Sequence, residues 1–281
     1  MAQLAARCAA FLTILLASCS GGVLDARGPV AAADRQMMLN ALAIMVAIVV
    51  PTIVAALYFA WWYRAGNRRA HRHPRFVYSG AIELIVWSIP LLVILFLSGL
   101  IWIGSHELDP ARPLAAKEKP LELQVVSLDW KWLFIYPQQG VAAVNELVVP
   151  AGVPLHFSLT SASVMNSFFV PQLGSMIATM NGMVTELHLQ ADHEGDYYGL
   201  STQYSGDGFS DMHFTVHAVA PGAFAEWVQR TKAAGPTLDR NGYERLAQES
   251  ANVGPFTYRA IDPALFRAVA TNQIAPQRGP R

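Results

Sequence analysis

Apolar positions fall into distinct regimes along the chain, and each regime predicts a different kind of element. A short apolar run from Cys8 to Ala17 opens it, too short to cross a bilayer. Two longer runs follow, Ala41 to Tyr63 and Leu84 to Gly104, with no charged residue in either. At 1.5 Å per helical residue each is long enough for a hydrocarbon core of about 30 Å, so both predict transmembrane helices. From Leu121 the period shortens. Leu121 to Val126 alternates in part, and Glu146 to Pro150, Leu155 to Thr160, Ser167 to Val170, Met183 to Leu189, Asp196 to Leu200 and Met212 to Val219 are short, β-rich stretches. Turns at Gly140, Gly152, Gly174 and Gly195 punctuate them. That spacing predicts an all-β Greek-key sandwich of the cupredoxin-like kind. After Pro221 the pattern becomes helical at Ala223 to Ala234, Tyr243 to Glu249 and Pro263 to Val269. The expected fold is therefore a membrane α-helical hairpin, a β-sandwich and a short helical C-terminal extension.

This pattern divides the chain at 1–18 (signal peptide), 19–110 (N-terminal segment and hairpin), 111–220 (sandwich), 221–270 (extension) and 271–281 (disordered tail). With 53% hydrophobic residues, 14% charged and a net charge of zero, the composition fits membrane content and gives no support for nucleic-acid binding. Charge does, however, orient the hairpin. Its connector holds Arg64, Arg68, Arg69, Arg72 and Arg75 without an acid, whereas Asp34, Glu107 and Asp109 lie outside the spans. The positive-inside rule puts the connector in the cytoplasm and the sandwich in the periplasm of a two-pass inner-membrane protein. Pro51 and Pro90 interrupt the spans, so other membrane protein is expected to cover the carbonyls they free. Leu16-Ala17-Ser18-Cys19 resembles a lipobox, which predicts cleavage before Cys19 and a covalent lipid on it.

Candidate chemistry is sparse. Cys8 and Cys19 are the only cysteines, so no thiolate exists beyond residue 19 and a cupredoxin-type copper centre is excluded by count. His156, His188, His193, His213 and His217 read as surface or hydrogen-bonded residues. His213 and His217 would lie too far apart on one strand to share an ion, and His188 has no visible second ligand. Glu83, the one acid at a membrane boundary, reads equally as a helix cap and as a proton-uptake group. The block Asp129-Trp130-Lys131-Trp132-Leu133-Phe134-Ile135-Tyr136 puts aromatics at period two, an arrangement that packs against a core or a partner.

Two motifs carry a resemblance. Met165-Asn166-Ser167-Phe168-Phe169-Val170-Pro171 and the stretch Y-Y-G-L-S-T-Q-Y-S-G-D-G-F-S-D-M from Tyr197 to Met212 resemble the copper frame of subunit II of the haem-copper respiratory oxidases. In that frame Ser201 and Ser205 stand at the thiolate positions, Asn166 and Phe209 at the imidazoles and Gln203 at the glutamate, while Met212 is kept. The glutamate position also touches a magnesium site in copper-bearing relatives. Together with the lipobox, the hairpin, D-W-K-W and the extension, these motifs make nearly the whole chain resemble subunit II of the cytochrome bo-type ubiquinol oxidases.

The resemblance implies a subunit without a redox centre or a metal of its own, in a complex that oxidises quinol, reduces oxygen to water and pumps protons. Haems, copper and the quinol site would belong to subunit I, and smaller membrane subunits complete the hetero-oligomer. It also implies proton uptake at Glu83 and packing of Trp130 and Trp132 against the main subunit. Two alternatives stay open: a degenerate cytochrome c oxidase subunit II, and a free-standing lipoprotein that uses its sandwich as a binding module.

Overall fold

The computed structural model describes residues 22–71, 73–116 and 118–275. The expected signal peptide, Cys8 and Cys19 lie outside the described residues, as do 276–281.

The described chain forms two compact units, one spanning Arg35–Leu108 and one made of the residues before and after it. The first holds most of helix α1 (Pro29–Trp62) and all of α2 (Gly80–Glu107). Both helices run through their prolines, and nearly all their apolar side chains are exposed, as expected of surfaces that lipid or protein would cover. Ala31 and Gly104 are buried instead; at Gly104 a Cβ would meet the Met37 side chain at 2.4–2.5 Å, so α1 and α2 approach closely at that point.

The second unit is a two-layer sandwich. One sheet has six strands in the order β12-β3-β2-β1-β5-β8 and the other five in the order β4-β10-β9-β6-β7. Their ranges are β1 Leu121–Leu128, β2 Lys131–Tyr136, β3 Val141–Val144, β4 Glu146–Pro150, β5 Pro154–Ser161, β6 Asn166–Phe169, β7 Ile177–Thr179, β8 Thr185–Gln190, β9 Gly195–Ser201, β10 His213–Val219 and β12 Phe256–Tyr258. Trp132, Phe134, Phe157, Phe168 and Phe214 meet between the layers, with Trp132 edge-on to Phe168 and Phe214. Burying an aromatic ring of this kind contributes about 1.5–3 kcal/mol, which makes this cluster the main anchor of the fold.

The partial alternation of β1 has a clear cause. Glu122 and Gln124 point away from the core, but Val126 and Leu128 on the same face are buried by a second apolar cluster that the extension supplies, including Tyr243, Leu246, Leu265 and Phe266. Helices α3 (Pro221–Ala233), α4 (Arg240–Leu246) and α5 (Leu265–Ala270) make up most of that extension. It also contains strands the periodicity does not predict: β12 extends the six-stranded sheet at β3, and β11 (Thr237–Leu238) pairs with β13 (Ala260–Ile261). Such short strands are stabilised by the sheet they join and leave little local signal.

Two boundaries differ from expectation. Residues 22–34 do not stand with the hairpin but dock on the sandwich: the Arg27 N–H donates to the Gln172 carbonyl, the Asp192 N–H donates to the Arg27 carbonyl, and Ala31 is buried. Gly28 permits that approach, since a Cβ there would sit 2.1 Å from the Gln190 oxygen. Residues 271–275, expected to open a disordered tail, are ordered: Ile274 is buried against the extension cluster and its N–H bonds the Ala268 carbonyl.

Candidate functional site

The loop between β9 and β10 is closed by local bonds. The Ser201 N–H donates to the Met212 carbonyl, and a single 3-10 turn, Phe209–Asp211, leads into Met212. Strand β6 lies beside β9, with Phe168 opposite Ser201, so Asn166 comes to the same end of the sheet as the loop. The fold thus gathers Asn166, Ser201, Ser205 and Met212, all buried. The other two residues of the frame point elsewhere: Gln203 is exposed, and Phe209 packs edge-on against Tyr204 with centroids 5.6 Å apart.

The buried groups satisfy one another. Ser201 Oγ donates to Asn166 Oδ1 at 3.3 Å, with the Gln203 carbonyl at 3.4 Å as a further acceptor, and it accepts from the Ser167 N–H at 3.4 Å. Asn166 Nδ2 donates to the Val164 carbonyl, and Ser205 Oγ lies 4.0 Å from Met212 Sδ. Buried hydroxyls and amides need such partners. Copper of the kind this frame holds elsewhere needs thiolate and imidazole donors, and two alcohols, an amide, a thioether and a phenyl ring do not supply them. The residues present do not fit the metal.

Trp130 forms the wall of this pocket. It closes the β1–β2 turn with a positive φ of 61°, donates its indole N–H to the Ser205 carbonyl at 3.1 Å and lies against Gly208, where a Cβ would meet the ring at 2.3 Å. The expectation that Trp130 and Trp132 pack against another subunit is corrected here: 6% of Trp130 and none of Trp132 is exposed, because Trp132 fills the space between the sheets and Trp130 covers Gly208. On either side of Trp130, Asp129 and Lys131 are also buried. Burial raises the Asp129 carboxyl above its ordinary range, against the lowering effects of its Ser163 hydrogen bond and of nearby Lys131. Burial likewise lowers the Lys131 ammonium, which donates to the Gln248 carbonyl at 2.7 Å and to Ser250 Oγ. This polar clamp, which ties the extension to the turn that carries Trp130, is not visible from spacing; two charges inside an aromatic block were the one available clue.

A family model described as cytochrome c oxidase subunit II, periplasmic domain, matches residues 123–219, and one described as the COX aromatic rich motif matches 232–277. Ubiquinol oxidase subunit 2 of Acetobacter aceti is 46% identical over 259 residues, covering 91% of this chain and 84% of that protein. The chain belongs to the ubiquinol oxidase subunit 2 family. Within the same family, cytochrome bo(3) ubiquinol oxidase subunit 2 of Pseudomonas aeruginosa is 45% identical over 258 residues, 92% of this chain and 78% of that one. The periplasmic domain of subunit II of cytochrome oxidase of Bradyrhizobium japonicum aligns with 42% of this chain and 98% of its own length, at 24% identity and a TM-score of 0.40.

Glu83 lies in the first turn of α2, exposed, and accepts a hydrogen bond from Trp87 Nε1 at 3.1 Å. No group of three His, Cys, Asp or Glu is placed to hold a metal among the described residues. Strand pairing does bring two histidines together that the sequence leaves apart: β5 pairs with β8 so that His156 lies opposite His188, their rings stacked at 4.5 Å.

Proposed function

We propose that this chain is the non-redox second subunit of a proton-pumping quinol oxidase of the bacterial inner membrane. It braces subunit I, which supplies the haems, the copper and the quinol site, and smaller membrane subunits complete the complex. The hairpin crosses the membrane twice with its arginine-rich connector in the cytoplasm, the sandwich stands in the periplasm, and a lipid on Cys19 adds a further anchor.

The observation that carries this reading is the loop. Ser201, Asn166 and Met212 lie buried at the ligand positions of that frame and bond to one another or to the backbone, so this loop offers electrons no copper. Purification of the tagged chain in mild detergent tests the proposal: haem absorbance and quinol oxidase activity should accompany it. A colourless chain that purifies alone would favour a binding module instead.

Glu83 takes the role of a proton-uptake group at the cytoplasmic end of α2. Its carboxylate sits one turn into the helix and is steadied by Trp87. Glu83→Gln should leave haem content unchanged and slow turnover several-fold. Equal turnover across pH would return Glu83 to the role of a helix cap.

A further inference from the structure

Glu122, His156 and His188 stand in one row across three neighbouring strands, since β1 pairs with β5 at Glu122–His156 and β5 pairs with β8 at His156–His188. The residues that flank each of them, Leu121, Leu123, Leu155, Phe157, Leu187 and Leu189, face the core, so the row lies on the outer face of the six-stranded sheet. The His188 ring is closed in on two sides. It stacks on His156 with the ring planes 8° apart and the centroids at 4.5 Å, and its Nδ1 lies 3.3 Å from the Pro110 carbonyl, which also accepts the His188 backbone N–H. A carbonyl only accepts, so this Nδ1 carries the proton. Pro110 belongs to the linker between α2 and β1, and β8 is the edge strand of its sheet. His188 therefore ties the linker to that edge.

Neutral and protonated rings are not equivalent in this place. Burial of His188 takes water away from an imidazolium, and the His156 ring stacked on it is a site for a like charge. These two effects, burial being the larger, lower the His188 pKa against the Pro110 carbonyl, Glu186 on the same strand and Glu122, which all favour the charge. Glu122 is itself engaged, with its Oε2 at 2.7 Å from His156 Nδ1. The linker carries Asp109 and Arg112 beside Pro110. We propose that the His156/His188 stack is an acid-released tie, which holds the Pro110 linker on the edge strand while both rings are neutral and opens when His188 takes a proton. Out of the stack the ring meets water and titrates near its ordinary 6.5, so the closed form binds fewer protons than the open form between 6.5 and the lowered value. The stability that the tie contributes is full above that window and is lost as pH falls through it. The tie stands on strand register alone. Only its meaning, a response to protons delivered on the periplasmic side, rests on the function proposed above.

The test combines two measurements on the full chain in detergent, neither of which needs oxidase activity, so its failure would leave the proposed function untouched. The first is an NMR titration of the histidine rings, with the His188 signal assigned by its loss in His188→Gln. The second is hydrogen exchange at the His188 backbone amide, whose partner is the Pro110 carbonyl. The His188 ring should titrate below 6.5, and the amide's protection, corrected for the intrinsic exchange rate, should fall several-fold as pH drops from about 7.5 to about 5. His156→Gln takes away the stacked ring and its charge, so it should move the His188 titration up toward the ordinary value. A His188 ring that titrates at or above 6.5 in the unaltered protein overturns the proposal. So does amide protection that stays constant through the His188 titration, a result that is read on the wild type and that a misfolded variant cannot obscure.

Discussion

The loop from Tyr197 to Met212 and the row Glu122/His156/His188 gather polar side chains in different ways. The loop encloses its groups: Asn166, Ser201, Ser205 and Met212 are buried, Trp130 donates to the Ser205 carbonyl beside them, and the Ser201 hydroxyl and Asn166 amide bond each other. The row lies on the outer face of the six-stranded sheet, where strand register sets His156 Nδ1 2.7 Å from Glu122 Oε2 and stacks its ring on that of His188. Enclosure by the core and register across strands are therefore two separate ways in which this fold brings distant residues together. A loop frame can be held by the aromatic core around it, and side chains can assemble wherever strand register places them.

Restoring the donors to the frame is the change with the largest expected effect. Asn166→His, Ser201→Cys, Gln203→Glu, Ser205→Cys and Phe209→His, made together in the full chain, should take copper binding at the loop from none to two ions, with intense thiolate-to-copper absorption. Stoichiometric loop copper in the unaltered chain would overturn the reading of this loop, and a folded, colourless variant would show that its shape as well as its donors has changed.

If the core rather than the loop holds the frame, Trp132→Ala should cost about 3–5 kcal/mol of stability, seen as a large drop in the denaturation midpoint. Ser201→Ala should cost far less, about 1 kcal/mol, since it removes weak bonds at 3.3–3.4 Å. A Ser201 effect equal to that of Trp132 would mean that the polar loop holds the frame.

The smallest predicted effect concerns the clamp beside Trp130. Burial raises the Asp129 pKa, so the folded state binds more protons than the unfolded state between the ordinary aspartate range, near 4, and the raised value. This contribution to stability is present below that window and is lost as pH rises through it. Asp129→Asn removes the titrating group, so the variant should gain on the wild type as pH rises from about 4 toward neutral. Parallel stability curves for the two proteins would contradict the raised pKa.

The loop was legible in the sequence because its meaning rests on residue type at close spacing: serine in place of cysteine settles the ligand chemistry in any conformation. The aromatic block shows the limit of such reasoning. Period two requires a face to be buried but does not say against what, and only the stacking of β2 over the second sheet turned Trp132 inward, onto Phe168 and Phe214. His156 and His188, 32 positions apart, carry no local signal at all.

By itself the sequence determined the two apolar helices, the run of short strands, the absence of thiolate beyond Cys19 and the serine-filled frame, since hydrophobic period and donor chemistry are properties of residues and their near neighbours. The tertiary structure alone decided the pairing of His156 with His188, the inward turn of the aromatics, the docking of residues 22–34 on the sandwich and the joining of β12 to the six-stranded sheet. These are non-local contacts, fixed by strand register and by the closing of one apolar face on another, and the free energy that selects them comes from burial of the whole core rather than from any segment's own preference.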